Sequence, residues 1–340
     1  MRGHLLLRAV RHMEGCIMND KNAPKVLLVE DNKATAGDFL RLLQLNGFTA
    51  EHALDAAEAL NKAAAFSPDV VLLDLQIPSA PGLSDEDVEH GFRVLDALLA
   101  ADPFRPVCIV TAHNQPELIR RAMRRTHGAP FVFKDDDLRR AVPKAVNVAL
   151  ASPAFKMSRT VREFRALVDR NESEDAYRKF IHQHWGAILG PEYQDVRSPY
   201  PITRGGEIDL LAIRWDGFPD LWELKRPSDP VFKDYNGWLH HSLECARAIG
   251  QLMSYYDAAE KEPRGPLGYD GRRGITVHLQ RPRGFVVIGR YQSDAERERL
   301  RLENGFLAGL AILTYDDLIE RAEQFLTFLQ QHRNGDDSPT

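Results

Sequence analysis

Between residues 24 and 150 the chain alternates short apolar runs with longer amphipathic stretches, five times over. The runs fall at 26–29, 48–51, 70–73, 107–110 and 131–133. The amphipathic stretches cover 33–45, 55–65, 91–100, 115–125 and 136–149. Runs this short, bounded by turn residues, read as buried strands, while apolar positions recurring every three to four residues read as helices. Strict strand–helix alternation predicts a doubly wound, five-stranded parallel sheet, whose ligands gather at the carboxyl ends of the strands.

The pattern then changes. Residues 158–169 have helical spacing and would join two domains as a rod. Tyr177, Phe180, Ile181 and His184 continue at helical spacing after Asn171 and Glu174, whose three-residue separation fits a capping box. A strand is expected around 193–196. Two apolar strands follow, 205–213 and 221–227, joined by a polar turn at 214–220. Next comes a long helix over 236–259, with Trp238, Leu239, Leu243, Ala246, Ile249, Met253 and Tyr256 as its stripe. Gln251 and Tyr255 lie beside that stripe. A strand at 284–289, a helix at 293–303, a strand at 310–314 and a helix at 316–331 complete the set. The expected plan is an N-terminal arm (1–23), a first domain (24–150), a helical linker (151–170), a second α/β domain (171–333) and a disordered tail (334–340).

With 340 residues the chain is long enough for two ordinary cores. A formal net charge of −5 argues against coating nucleic acid by bulk charge, and leaves room for a local basic groove. Three cysteines, Cys16, Cys108 and Cys245, have neither paired nor metal-site spacing, which points to a reducing cytoplasm. No apolar run is long enough to span a bilayer. The first residues are too short and too charged for a secretory signal, and either Met1 or Met18 serves as the start.

In the first domain the polar residues collect at the strand ends. Glu30 and Asp31 follow the first strand, Asp74 ends the third, Thr111 the fourth and Lys134 the fifth. Three acids, a hydroxyl and a lysine on one edge suit Mg²⁺ and a phosphoryl group. Leu28-Val29-Glu30-Asp31, Leu73-Asp74-Leu75-Gln76-Ile77-Pro78, Val110-Thr111-Ala112 and Phe133-Lys134 resemble a response-regulator receiver domain. The resemblance implies that Asp74 accepts a phosphoryl group from a sensor histidine kinase or phosphotransfer protein. It implies that Glu30, Asp31 and Asp74 hold Mg²⁺, that Thr111 and Lys134 grip the phosphoryl group, and that Phe131 is the switch aromatic. Two departures stand out. Asp135-Asp136-Asp137 follows the lysine where the family usually has proline. The loop from Asp74 to Gly91, the glycine taken to open the third helix, is long and acidic. Arg120, Arg121, Arg124 and Arg125 line the fourth helix, where such a run is usually a solvated face.

In the second domain, strand periodicity turns Glu223 and Lys225 to one side and Trp222 and Leu224 to the other. If the two apolar strands pair as a hairpin, Asp209 sits beside Glu223, and two carboxylates converge next to an ammonium. A hard divalent cation relieves such a pair. The Asp209/Glu223/Lys225 spacing resembles the motif of the PD-(D/E)xK nucleases, and the order of elements resembles the restriction-endonuclease-like fold. Glu174 in an entry helix ending near Trp185, Gly206-Glu207-Ile208-Asp209, Trp222-Glu223-Leu224-Lys225-Arg226-Pro227, and a helix bearing Gln251 and Tyr255 resemble the C-terminal nuclease domain of Shedu (SduA) anti-phage proteins. That resemblance implies that Asp209 and Glu223 bind Mg²⁺ (or Mn²⁺), that Lys225 serves the attacking water, and that Glu174 and Gln251 complete the shell. Ile208 stands where the superfamily's name has proline.

From Lys261 to Arg290 seven basic residues face two acidic ones. Arg272, Arg273, Arg281 and Arg283, with Arg226, are the candidate phosphate-backbone contacts, against an ordinary flexible loop. His240 and His241, adjacent on the expected helix, would point in different directions and read as surface or core filler. The sequence offers no zinc finger, helix-turn-helix signature or aromatic RNA-binding platform. The combined expectation is a cytoplasmic, homo-oligomeric response regulator whose output is a Mg²⁺-dependent nuclease acting on DNA, with RNA open. The alternative is a phosphorylation-controlled binding or scaffold module on an inactive nuclease fold.

Overall fold

A computed structural model of the chain describes residues 23–112, 115–126, 129–203, 206–261 and 282–333, which divide into two compact units, an N-terminal one up to Ser158 that also takes in the end of the last helix from Leu329, and a C-terminal one from Arg159 to Phe328.

The N-terminal unit alternates strand and helix: β1 (Lys25–Val29), α1 (Lys33–Leu45), β2 (Thr49–Ala53), α2 (Ala56–Phe66), β3 (Val70–Asp74), α3 (Val88–Ala101), β4 (Val107–Thr111), α4 (Pro116–Thr126), β5 (Phe131–Phe133) and α5 (Leu138–Leu150). All five strands run parallel in the order β2-β1-β3-β4-β5. Strands β3 and β4 are buried at every residue, as a sheet covered by helices on both faces requires. Leu27, Val29, Val71 and Leu73 pack on one face with Phe92 and Leu95. Val26, Leu28, Val70 and Leu72 pack on the other with Phe39 and Val146.

Helix α3 starts at Val88, not at Gly91. Asp87 caps it by accepting from the Glu89 N–H at 2.8 Å, and the long loop before it is tied by an Ile77–Asp87 bridge and by Ser79 donating to Asp85. Gly91 is needed for contact instead: a Cβ there would lie 2.3 Å from the Leu75 carbonyl oxygen.

The C-terminal unit contains α6 (Pro153–Asp169), α7 (Glu174–Gln183), α8 (Trp185–Ile188), β6 (Tyr193–Arg197), β7 (Tyr200–Thr203), β8 (Gly206–Ile208), β9 (Leu210–Arg214) and β10 (Pro219–Leu224). It continues with β11 (Phe232–Tyr235), β12 (Trp238–His241), α9 (Leu243–Lys261), β13 (Arg283–Val287), α10 (Asp294–Phe306), β14 (Leu310–Leu313) and α11 (Tyr315–Arg333). Its central sheet, β14-β13-β10-β9-β6, is mixed: β10, β13 and β14 are parallel, while β9 is antiparallel to both β10 and β6. Helix α6, in the stretch expected as a linker, belongs to this unit from Arg159 onward. Its Phe164 packs 5.5 Å from Phe180 and 6.1 Å from Tyr315, and Arg165 pairs with Glu323.

Two sequence expectations are overturned here. Asn171 does not cap α7: its φ is +50°, its side chain accepts from the Ser228 N–H, and Ser173 is the cap. The helix expected over 236–259 begins only at Leu243. Residues 232–241 form a hairpin instead, closed by Asn236 and Gly237 at φ +55° and +81°. Asn-Gly with both φ positive is the preferred two-residue hairpin turn, and a helix interior cannot hold it.

We expect Gly91→Ala to destabilise the N-terminal unit by about 1–3 kcal/mol, since backbone has to move to admit the methyl group. Gly37→Ala, in α1 with open space around its Cβ, should instead stabilise by about 0.5–1 kcal/mol. Urea unfolding of the two variants checks the opposite signs.

Candidate functional site

In the N-terminal unit, parallel register brings the ends of β1, β3, β4 and β5 to one edge. Glu30, Asp31 and Asp74 offer oxygens within 4.8 Å of one another. Lys134 closes the cluster from β5: its Nζ donates to Asp74 Oδ2 at 2.7 Å and to Glu30 Oε1 at 3.0 Å. It also lies 2.7 Å from Glu30 Oε2, an ionic contact outside hydrogen-bond geometry. Burial pushes the carboxyls of Glu30 and Asp74 above the usual range, against the pull of Lys134. Burial alone would lower the Lys134 ammonium, but the attraction of Asp74 and Glu30 outweighs it and the net shift is upward. Three carboxylates around one ammonium leave a negative excess that suits a divalent cation.

Thr111 is fully buried at the end of β4, and its carbonyl accepts from the Lys134 N–H at 2.9 Å. Phe131 is half-buried and packs on Phe133. Asp136, in the acidic triplet, accepts from the Phe133 N–H at 3.0 Å and so closes the turn after β5. Of the arginine run, Arg121 pairs with Glu89 and Arg125 with Asp96, both over the Phe92 ring, and Arg120 pairs with Glu117.

In the C-terminal unit β9 and β10 pair antiparallel with Leu210 opposite Trp222, and Asp209, just before β9, lies near enough for its charge to act on Glu223. Asp209 Oδ2 accepts from the Leu224 N–H at 2.8 Å, and Lys225 Nζ donates to Glu223 Oε1 at 2.7 Å. The other oxygen, Glu223 Oε2, is buried with no hydrogen-bond partner. Burial, then the charge of Asp209, pushes the Glu223 carboxyl up to about 7. Burial also raises Asp209, held back by the Leu224 N–H and by the charges of Lys225 and Arg178. The Lys225 ammonium is raised despite its burial, because Glu223 lies against it. An orphaned carboxylate oxygen inside a like-charged pair fits a cation with oxygen ligands.

Glu174 projects from α7 close enough for its charge to act on Glu223 and Lys225. It does not bring a third carboxylate within the 4.8 Å that the N-terminal acids reach; among the described residues only Glu30, Asp31 and Asp74 form such a group. Gln251 donates to the Tyr255 hydroxyl at 2.8 Å, and that hydroxyl donates to the Glu207 carbonyl at 2.7 Å. Sequence reasoning missed Tyr315, fully buried, whose hydroxyl donates to the Lys225 carbonyl at 2.6 Å, and Arg178, one turn after Glu174. Neither has a local signal.

Arg283 is corrected. Rather than an open phosphate contact, it donates through Nε to Asp220 Oδ1 at 2.9 Å, and Tyr193 donates to the other oxygen of this fully buried acid. Asp220 and Arg283 are register partners on the Trp222 face of the sheet, opposite to Glu223. Arg226 is exposed and lies 3.7 Å from Asp229. Arg272, Arg273 and Arg281 lie outside the described residues, as do nearly all of the expected arm and the whole expected tail.

The family model for the response regulator receiver domain matches residues 26–144, and that for the C-terminal part of Shedu protein SduA matches residues 171–319. The chain thus carries a receiver domain followed by an SduA C-terminal domain. It is 36% identical over 93 residues to the transcriptional regulatory protein PrrA of Mycobacterium leprae (strain TN), covering 27% of this chain and 36% of that one. It is 27% identical over 172 residues to the response regulator MprA of Mycobacterium tuberculosis (strain ATCC 25618 / H37Rv), covering 51% of this chain and 62% of that one. The match therefore spans less than two thirds of either relative. Among solved structures it is similar to a CheY-like receiver domain protein from Methanospirillum hungatei JF-1 (20% identity, 38% of this chain, 94% of that one, TM-score 0.33). The receiver domain of NtrX from Brucella abortus is another (24% identity, 37% and 98% covered, TM-score 0.32). No helix among the described residues is long and apolar enough to cross a membrane.

Two outcomes follow from this geometry. Between pH 4.5 and about 7 the folded protein keeps a proton on Glu223 that the unfolded chain has released. Stability in EDTA should therefore fall as pH rises through that window, by on the order of 3 kcal/mol. Added Mn²⁺ should recover it above pH 7, and Glu223→Gln should flatten the slope; thermal melts across the range read both. Arg283→Ala should cost about 3–5 kcal/mol in urea unfolding, because it strands the buried Asp220 carboxylate.

Proposed function

We propose that this chain is a cytoplasmic phosphorelay response regulator whose output domain is a metal-dependent nuclease, acting on DNA, or on RNA. The observation that carries the output reading is the convergence of Asp209, Glu223 and Lys225 around a buried carboxylate oxygen without a partner. Asp209 and Glu223 would hold Mg²⁺ or Mn²⁺, with Glu174 and Gln251 beside them. The ion would supply Lewis acidity at a phosphodiester. Lys225 remains an ammonium beside Glu223, so its part is to hold the attacking water and offset charge on the phosphate, not to take a proton. Water adds to phosphorus and releases a proton to solvent, one ester P–O bond breaks, and the leaving alkoxide takes up a proton from solvent.

In the receiver, Asp74 accepts the phosphoryl group from a histidine kinase or phosphotransfer protein, with Glu30 and Asp31 sharing the Mg²⁺. Lys134 donates to Asp74 and would meet a phosphoryl oxygen there, and Thr111, which ends the neighbouring strand, would grip the same group. Phe131 is the residue we assign to the switch. Phosphorylation sets the output through domain contacts or through assembly into homo-oligomers. Defence against phage is the setting we propose, as the Shedu resemblance implies.

One observation favours a second reading. Asp209, Glu223 and Glu174 do not converge as closely as the receiver acids do, which suits a binding or scaffold module on an inactive nuclease fold.

Nicking of supercoiled plasmid with Mg²⁺ or Mn²⁺ decides between them. We expect cleavage by the wild type and a loss of at least about 100-fold in Lys225→Ala and Glu223→Ala. We expect acetyl phosphate to change rate or oligomeric mass in the wild type but not in Asp74→Asn. No cleavage by a wild type that still takes up phosphate would transfer the reading to the binding module.

A further inference from the structure

The hairpin β11–β12 has two faces of different chemistry. Its register pairs Phe232 with His241, Lys233 with His240, Asp234 with Leu239, and Tyr235 with Trp238. Directly opposed residues share a face and neighbours alternate. One face, with Phe232 and Leu239, packs onto the core that also holds Leu221, Val286 and Tyr255. The other carries Lys233, Tyr235, Trp238 and His240, and all four are exposed: Tyr235 at 71% and Trp238 at 73%. His240 meets the Tyr235 ring edge-on at 6.4 Å. The acid of the ribbon, Asp234, alternates to the face of Leu239, is itself exposed, and accepts from the Gly237 N–H at 2.9 Å. The outward strip therefore holds two aromatic rings, one lysine and one histidine, with no carboxylate among them.

We propose that this strip is a stacking platform for unpaired bases of a single-stranded nucleic-acid segment, feeding the site at Asp209, Glu223 and Lys225. The inference rests on the nuclease reading and deepens it by naming the form of the substrate. Exposed rings beside a lysine are chemistry that holds single strands: bases stack on the π-faces while the ammonium group meets a phosphate. The chain position agrees. The hairpin is inserted between β10, which carries Glu223, and α9, which carries Tyr255, and its base packs on the Glu223 face of the sheet. Gly289 donates to the Arg226 carbonyl, and a Cβ on Gly289 would meet the Asp229 carbonyl oxygen at 2.6 Å. The segment leading from Lys225 into the hairpin is thereby fixed against the end of β13. Rings at a turn closed by Asn-Gly are held on a short, rigid ribbon, which limits the ordering that binding requires.

The test uses the full-length protein in EDTA, with labelled oligo(dT) and a blunt duplex of equal length, read by fluorescence anisotropy. Trp238→Ala and Tyr235→Ala should each weaken oligo(dT) binding about tenfold. W238F and Y235F should stay within about threefold of wild type, because a ring remains. Oligo(dT) should quench tryptophan emission in the wild type, and much less in W238F although that variant still binds. Wild-type affinity in both alanine variants overturns the platform and leaves the nuclease reading standing. A fall in oligomeric mass in Trp238→Ala with oligo(dT) affinity unchanged overturns it in favour of a contact between copies. A wild type that binds no nucleic acid removes the nuclease reading and the platform together.

Discussion

Both units depend on one constraint, the burial of like-charged carboxylates around a single ammonium. In the receiver, Lys134 reaches Glu30 and Asp74 from the last strand; in the SduA C-terminal domain, Lys225 reaches Glu223 beside Asp209. In each case burial raises the acids and the acids raise the lysine. Such a cluster is tolerable only where backbone fixes every member, since a carboxylate that drifts off its partner is left charged and desolvated. That requirement explains why the acids sit in strands or within two residues of a strand end. It also explains why supports converge on backbone atoms next to them. The Leu224 N–H holds Asp209, the Val287 carbonyl accepts from the Lys225 N–H, and Tyr315 holds the Lys225 carbonyl.

How much of this is readable from the chain follows from the range of each interaction. Glu30, Asp74, Thr111 and Lys134 each terminate an apolar run, so a parallel sheet collects them without further information. Strands β9 and β10 are joined by a short turn, and their local pairing brings Asp209 and Glu223 to the same end of the hairpin. The failures are long-range or competing signals. Tyr315 meets Lys225 across ninety residues of chain, and Arg283 meets Asp220 across sixty-three, so nothing near either residue announces the contact. At 236–241 two local signals compete. Leu239 and Leu243 keep a helical period, but Asn236-Gly237 demands positive φ twice, and the turn wins because a steric exclusion outweighs a weak propensity.

The same competition hid the exposed strip of the hairpin. On a helix, Trp238 belongs to an apolar stripe and the adjacent histidines point apart; on a two-residue hairpin, Trp238 and His240 share a face with Lys233 and Tyr235. A change of period from 3.6 to 2 thus converts presumed core into surface and scattered residues into a strip. The exposure of two large rings on one face is the feature that the proposed base-stacking role would use.

Strand β10 brings these arguments into one element. Asp220 and Glu223, three residues apart, point to opposite faces, and each meets a cation: Arg283 for Asp220, Lys225 for Glu223. The two pairs are finished differently. Asp220 is bonded at both oxygens, by Arg283 at one and by Arg283 and Tyr193 at the other, which satisfies a fully buried charge with protein alone. Glu223 is bonded at one oxygen and left open at the other, with Asp209 raising its charge burden. A fold that completes one buried acid and leaves its near neighbour incomplete is not short of donors, since Arg178 and Tyr255 stand close to the second site. The open oxygen of Glu223 is therefore where a ligand of positive charge would stabilise the fold as well as serve the proposed chemistry. The Asp220 face, already satisfied, has only packing to do.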